Sequence, residues 1–269
     1  MSTPLVPTPP VDALIDPALD HVVTTVMAGL AGAALLFSLY YWRRTGRPTF
    51  LVLFASGGAM MLLEPFVDTV GGCWHPANAI RGFVLWGRPM PLWLCLCYFV
   101  FFGIGGGVTW LALRGRPNAR TVWGLFIVSA LGDVVLEVTL LHFHTYIYYG
   151  AQPLVLMNFP LWWAPVNSLI DVAVAVLIVR YESALVGVRQ LLILPLAMAT
   201  SAAVNTIAGW PSWTAVNSDL GPFGRDLAGL VTFAVAIVLV RMLANTMTGA
   251  GAPDVVPGGK PVSPAAVTR

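Results

Sequence analysis

Two pairs of acids could do chemistry because of where they fall. Glu64 and Asp68 in LLEPFVDTVGGCWHP (62–76), and Asp133 and Glu137 in GDVVLEVTLLHFHTYIYYG (132–150), sit within long apolar runs. Each pair is spaced i,i+4, so on a helix its two carboxyls share one face. A charged side chain at mid-bilayer costs at least about 2.5 kcal/mol, so such acids must face the protein interior. Carboxyls gathered at low dielectric cannot all ionise, and a cluster of this kind keeps at least one proton at neutral pH. A protonated acid beside an ionised one is the arrangement of general acid/base catalysis. On this reading Glu64 beside Pro65 is the general acid. Asp133 or Glu137 is the base and cation stabiliser, and Asp68 tunes them.

Other polar groups belong to the same picture. Asp171 lies one turn after Asn167, and Asn158 and Asn205 fall near the ends of apolar runs. Tryptophan is uneven: Trp42, Trp110 and Trp123 lie near one boundary of the runs, while Trp74, Trp86, Trp93, Trp162, Trp163, Trp210 and Trp213 lie near the other. Two belts of interfacial aromatics would be more even. Two readings stand: an interfacial aromatic belt, and an aromatic roof over a pocket, built from the 71–89 and 209–222 loops, with Trp74, Trp162, Trp163, Asn158, Asn167, Asp171 and Asn205 as the candidate substrate contacts. Pro65 is expected to deprive the Met61 carbonyl of its helical donor and to kink the helix beside Glu64.

No metal or cofactor is expected. Cys73, Cys95 and Cys97 show no zinc-type spacing and read as buried thiols. His142 and His144 would need a third ligand, with His75 the only other candidate on that side. No Gly-rich phosphate loop of the usual spacing occurs.

The elements that must position these groups follow from composition. The 269 residues are 58% hydrophobic and 10% charged, with mean hydropathy +0.80. About 25% charged residues is usual for a soluble domain, so the deficit indicates a membrane protein. A net charge of +2 gives no case for nucleic acid as a partner. Seven stretches reach the roughly 20 apolar residues of a membrane-spanning helix: Asp20–Trp42, Pro48–Val70, Met90–Leu113, Thr121–Leu141, Pro160–Arg180, Leu191–Ala208 and Phe223–Leu243. The fold class is therefore an all-α, polytopic seven-helix bundle of the cell membrane over residues 17–246. Residues 1–16 and 247–269, rich in Pro, Gly and Ala, are expected to be disordered tails. The N-terminus has no basic region preceding an apolar core and does not read as a signal peptide. Eleven of the fourteen Lys and Arg residues fall on the side that includes the C-terminus, leaving Arg81, Arg88 and Arg225 on the other. This bias predicts an N-terminus outside and a cytoplasmic C-terminus. Gly103 and Gly107 form a GxxxG pair, which signals close helix packing.

At the two acid-bearing segments the sequence resembles the actinobacterial integral-membrane family similar to the spirocyclase AveC. The resemblance rests on the Glu-Pro-x-x-Asp of 62–76 with its following Gly and aromatic loop. It rests also on the Asp-x-x-x-Glu of 132–150 running into Tyr-x-Tyr-Tyr-Gly. It implies a cyclase that closes a spiroketal from a dihydroxy-ketone polyketide, sometimes with dehydration, and it maps onto Glu64, Asp68, Asp133 and Glu137. The acid-then-tyrosine segment is also similar to membrane carotenoid hydratases and cyclases. The reading is a cofactor-independent acid/base enzyme acting on an apolar, oxygenated small molecule. Its alternatives are a proton-coupled transporter, for which Asp171 would extend a path across the bilayer, and a non-catalytic membrane binding subunit.

Overall fold

Asp16 and Gly46 bracket the first helix in the way helix termini require. The Asp16 carboxylate accepts from the amides of Ala18 and Leu19, Pro17 occupies the first turn, and Gly46 ends the helix with φ 68°. The computed structural model describes residues 7–248. Among them seven helices are long and apolar enough to cross a membrane: Pro17–Thr45, Thr49–Gly71, Leu92–Gly115, Ala119–His142, Trp163–Arg180, Gly187–Val216 and Pro222–Asn245. They are referred to below as spans one to seven. The chain is a multi-pass membrane protein with an all-α fold.

Span five is the axis. Nearly all its residues from Trp163 to Val179 are buried, and it packs on the 106–115 half of span three and on spans four, six and seven. Span one is peripheral. It buries a narrow stripe of Asp20, Thr24, Met27, Ala31, Ala34 and Ser38, spaced three or four apart, against span two and the first half of span three. The glycines of span three allow close approach. A Cβ on Gly103 would fall on the backbone of Phe54, and one on Gly107 on the Phe50 ring.

Two spans are not continuous α-helix. Span two is α over Thr49–Met60, tightens to a 3₁₀ turn over Met61–Leu63, and resumes as α over Glu64–Gly71. The break sits at Pro65, but the Met61 carbonyl is not left free. The amide of Glu64 donates to it across the tighter turn, which corrects the expectation of an orphan acceptor. Span three carries a π-helical stretch, Phe99–Gly105, between its two α-helical halves.

The connections at one end are all short (46–48, 116–118 and 181–186); at the other end two are long (72–91 and 143–162) and the third, 217–221, is short. At the short-loop end Glu182 holds Arg47 at 2.6 Å and the Arg114 Nε at 2.7 Å. The long-loop end contains three two-stranded antiparallel ribbons: β1 (Cys73–Trp74) with β4 (Ile147–Tyr148), β2 (Arg81–Leu85) with β3 (Arg88–Pro91), and β5 (Val155–Leu156) with β6 (Phe159–Pro160). The β1–β4 pairing, Cys73 opposite Tyr148 and Trp74 opposite Ile147, ties the loop after span two to the loop after span four.

Several boundaries differ from expectation. Span six runs on to Val216, so residues 209–216 are helix and not roof loop. Span five begins at Trp163, because Phe159 and Pro160 belong to β6. Within the expected N-terminal tail, Ile15 is buried and its backbone exchanges two hydrogen bonds with the Asn78 side chain. Residues 1–6 and 249–269 of the two expected tails lie outside the described residues.

Candidate functional site

Spans two and four deliver their acids to one place. Glu64, Asp68, Asp133 and Glu137 all line a single cavity toward the long-loop end. Its wall is completed by Tyr98 and Cys97 of span three, by Trp163, Asn167 and Ile170 of span five, by Ser201 and Asn205 of span six, and by Cys73, His75, Tyr146 and Tyr148 of the loops. The 92–105 half of span three packs on spans one and two, while span four packs on spans five and seven. The cavity lies between these two groups. Its volume is about 80 Å³, which is room for about five water molecules.

Each acid lies beside a side chain other than Lys or Arg. The Tyr98 hydroxyl donates to Glu64 Oε2. Glu137 Oε2 accepts from Tyr146 at 2.5 Å and from Tyr148 at 3.0 Å. The Asn167 amide reaches both oxygens of Asp133, at 3.4 and 3.3 Å. Asp68 Oδ2 lies 3.4 Å from His75 Nε2. Among the described residues no Lys or Arg forms an ion pair with any of the four.

Arg88, the one guanidinium close by, is buried and turned to other partners. It donates to the Cys73 carbonyl and, at 3.4 Å, to the Asp68 carbonyl and the Tyr149 hydroxyl, and it lies 5.2 Å from the centre of the Trp74 ring. It thereby fixes the turn after span two and leaves the carboxyls to the tyrosines and amides. Burial first, then the neighbouring Glu137, push the phenols of Tyr146 and Tyr148 above the ordinary range, so both remain donors at neutral pH. Burial and the adjacent Asp68 likewise push the free Cys73 thiol up, which keeps it from acting as a nucleophile by itself.

The wall also holds polar atoms with no partner among the described residues. They are the indole N–H groups of Trp93 and Trp163, Asn205 Oδ1, Asp68 Oδ2 and His75 Nδ1. Buried polar groups are ordinarily satisfied, so donors and acceptors left over around one hollow fit a ligand with oxygen functions.

Of the expected substrate contacts, Trp163, Asn167 and Asn205 line the cavity; the others do not. Trp74 is buried beneath Arg88. Trp162 stacks behind Trp163 with ring centroids 4.0 Å apart and donates to Gln152. Asn158 is a turn residue. With Met157 it takes positive φ between β5 and β6, a two-residue hairpin turn that suits Asn, and it borders a separate surface hollow with Arg225. Asp171 is buried against Gly105 and Gly106 at the end of the π-helical stretch, outside the cavity lining. The tryptophan roof is replaced by a tyrosine and histidine one: Trp86 and Trp210 are exposed, whereas Tyr146 and His75 close the cavity with ring centroids 5.4 Å apart.

Tyr98 and His75 carry no sequence signal for this role. Tyr98 lies on the next span from its acid, across a 20-residue loop, and β1–β4 pairing sets His75 beside Tyr146. The π-helical stretch beginning at Phe99 was the feature to look for, since such bulges recur at functional sites, but it leaves no pattern in the sequence. The chain matches no protein-family model, no curated protein and no solved structure, so the functional reading rests on this geometry.

Proposed function

We propose that the protein is a membrane-embedded acid/base enzyme, a spiroketal-forming cyclase or a related dehydratase, acting on an apolar substrate that carries hydroxyl and carbonyl groups. One observation supports it above the rest: four carboxyls from two spans share a cavity in which their partners are tyrosines, an amide and an imidazole instead of countercharges. Groups arranged in this way hold and move protons. An acid paired with arginine would be locked as a carboxylate.

In spiroketal closure a hydroxyl first adds to the ketone to give a hemiketal. Glu64, hydrogen-bonded to Tyr98, then protonates the hemiketal hydroxyl, which departs as water and leaves an oxocarbenium ion. Asp133 and Glu137 stabilise that cation. As the second hydroxyl attacks, Glu137 takes its proton, with Tyr146 and Tyr148 setting the carboxylate's orientation. The balance is one dihydroxy-ketone to one spiroketal and one water, with no change of oxidation state. Asp68 completes the acidic wall one helical turn from Glu64. A dehydratase uses the same first protonation and loses a neighbouring proton instead.

Drug-sized ligands occupy about 300–1,000 Å³, so a cavity of about 80 Å³ admits the reacting end alone. The apolar body of the substrate then stays outside the cavity. Asp171, which a proton path across the bilayer would need, packs on glycines away from the cavity, so the transporter alternative gains no support here. The test is Glu64→Gln, assayed on the linear dihydroxy-ketone in lipid nanodiscs. Turnover should fall by at least about 100-fold while the helical circular dichroism and elution profile stay those of the wild type. Full activity in that variant would remove Glu64 from the reaction.

A further inference from the structure

We infer that Asp68, Cys73 and His75 form a binding site for a divalent transition-metal ion of the zinc type, in the wall of the acid cavity. The inference goes beyond the acid/base reading and does not depend on it, because it stands on the geometry of three side chains. Asp68 lies in the last turns of span two. Gly72, at φ 68°, ends that helix in the left-handed region and reverses the chain, and β1 then carries Cys73 outward with His75 just beyond it. Sequence spacing alone, Asp-x₄-Cys-x-His, would not place three ligands together. The glycine turn and the β1–β4 pairing do.

One carboxylate oxygen, one sulfur and one imidazole nitrogen from these residues all lie within 4.8 Å of one another. His75 Nε2 is 3.4 Å from Asp68 Oδ2 and 3.9 Å from Cys73 Sγ. A tetrahedral zinc ion, with bonds of about 2.0–2.1 Å to N and O and about 2.3 Å to S, spaces such ligands by about 3.4 and 3.5 Å. The imidazole nitrogen thus sits at ligand spacing from the carboxylate and within about 0.4 Å of it from the sulfur, while the carboxylate and the sulfur, within 4.8 Å of each other, draw together on the ion.

A second observation points to a ligand at this spot. Asp68 and His75 are each 3% exposed, and Asp68 Oδ2 has no hydrogen-bond partner despite lying so near the imidazole. The two atoms are close without forming a hydrogen bond, which leaves both free to face a third atom. His75 Nδ1 is also unpartnered, where a metal-bound histidine would hold its proton.

The donor set selects the ion. Thiolate with imidazole and one carboxylate is borderline-soft, which favours zinc or cobalt over magnesium or calcium. Coordination removes the Cys73 proton outright. Two anionic ligands neutralise the ion, and Arg88 is held away from the carboxylate by the Cys73 and Asp68 carbonyls. Three protein ligands leave a fourth position, as in catalytic zinc sites and unlike closed structural ones. Since all three residues line the cavity, that position is available to a water or to a substrate oxygen.

The experiment reads the metal and not activity. Protein purified in detergent without chelator is analysed for bound metals by mass spectrometry, then stripped and titrated with Co²⁺. About one zinc per chain is expected. The cobalt form should show four-coordinate visible bands together with a near-ultraviolet thiolate-to-cobalt band. Cys73→Ala should abolish the thiolate band, and His75→Ala should weaken cobalt binding by at least about 10-fold, the lower end of what loss of even an outer-shell partner costs. His75→Cys keeps three ligands and should restore binding, which separates ligand loss from misfolding. Glu64→Gln should bind cobalt as the wild type does, so failure of the acid/base reading and failure of this one are read independently. Wild-type protein with no thiolate band, or with the same metal content as Cys73→Ala, overturns the inference.

Discussion

The two ends of the bundle treat carboxylates in opposite ways. At the short-loop end Glu182 is half-buried and clasped by Arg47 and Arg114. The acid is neutralised, the three connections it touches are stapled together, and nothing about it is available for chemistry. At the long-loop end four acids share one hollow without a single ion pair to Lys or Arg among the described residues. Their neighbours are hydroxyls, an amide and an imidazole; of the two spans that carry them, span two is interrupted by a 3₁₀ turn, and the adjacent span three holds a π-helical stretch. The difference teaches what to look for in a membrane-embedded acid. Burial alone does not separate a strut from a proton carrier. The kind of partner does, because a guanidinium fixes the charge while a phenol or amide leaves the proton free to move.

That contrast can be broken in several ways. The largest effect concerns which side of the membrane each end faces. The arginine bias predicts a cytoplasmic short-loop end; on that expectation an impermeant maleimide applied to intact cells should label Asp219→Cys and should reach Ser183→Cys only after lysis. Both positions are exposed; of the native cysteines Cys73 and Cys97 are buried, whereas Cys95 is only partly buried, contrary to the expectation of three buried thiols, so the labelling is done in a Cys95→Ala background. The reverse pattern would put the acid cavity on the cytoplasmic side. Next in size, Glu182→Ala should lower Tm by about 2–4 °C. The pair is partly exposed and screened, worth about 1 kcal/mol at most. The same variant should leave turnover at the cavity untouched, and a loss of turnover would show that the two ends are coupled.

The smallest effect is spectroscopic. Because Tyr146 and Tyr148 are held above the usual phenol range, neither should contribute to the tyrosinate absorbance that develops near pH ~10. The double variant Tyr146→Phe, Tyr148→Phe should therefore keep the wild-type amplitude at that pH. A reduced amplitude would mean that these hydroxyls are wet and are not the dry donors Glu137 requires.

Much of this protein could be read from its residues. Seven spans follow from apolar run length because a bilayer leaves the backbone no alternative to helix at that hydropathy. That the acids of 62–76 and 132–150 turn inward follows from the cost of lipid exposure, and i,i+4 spacing aligns each pair on its own helix. What lay beyond reach was everything that depends on which helices are neighbours. Asn158 and Trp74 had suitable chemistry and suitable position along the chain, yet one serves a hairpin turn and the other packs under an arginine. Tyr98 reaches the cavity from the helical turn just before a π-helical stretch, and Cys73 and His75 reach it past a left-handed glycine and a two-residue strand pairing, none of which has an amphipathic period to betray it. Local periodicity and solvation are properties of a segment, so the sequence determined the spans and the inward faces of the acids. The meeting of spans two and four, and of Asp68 with Cys73 and His75, is a property of long-range packing, and only the tertiary structure decided it.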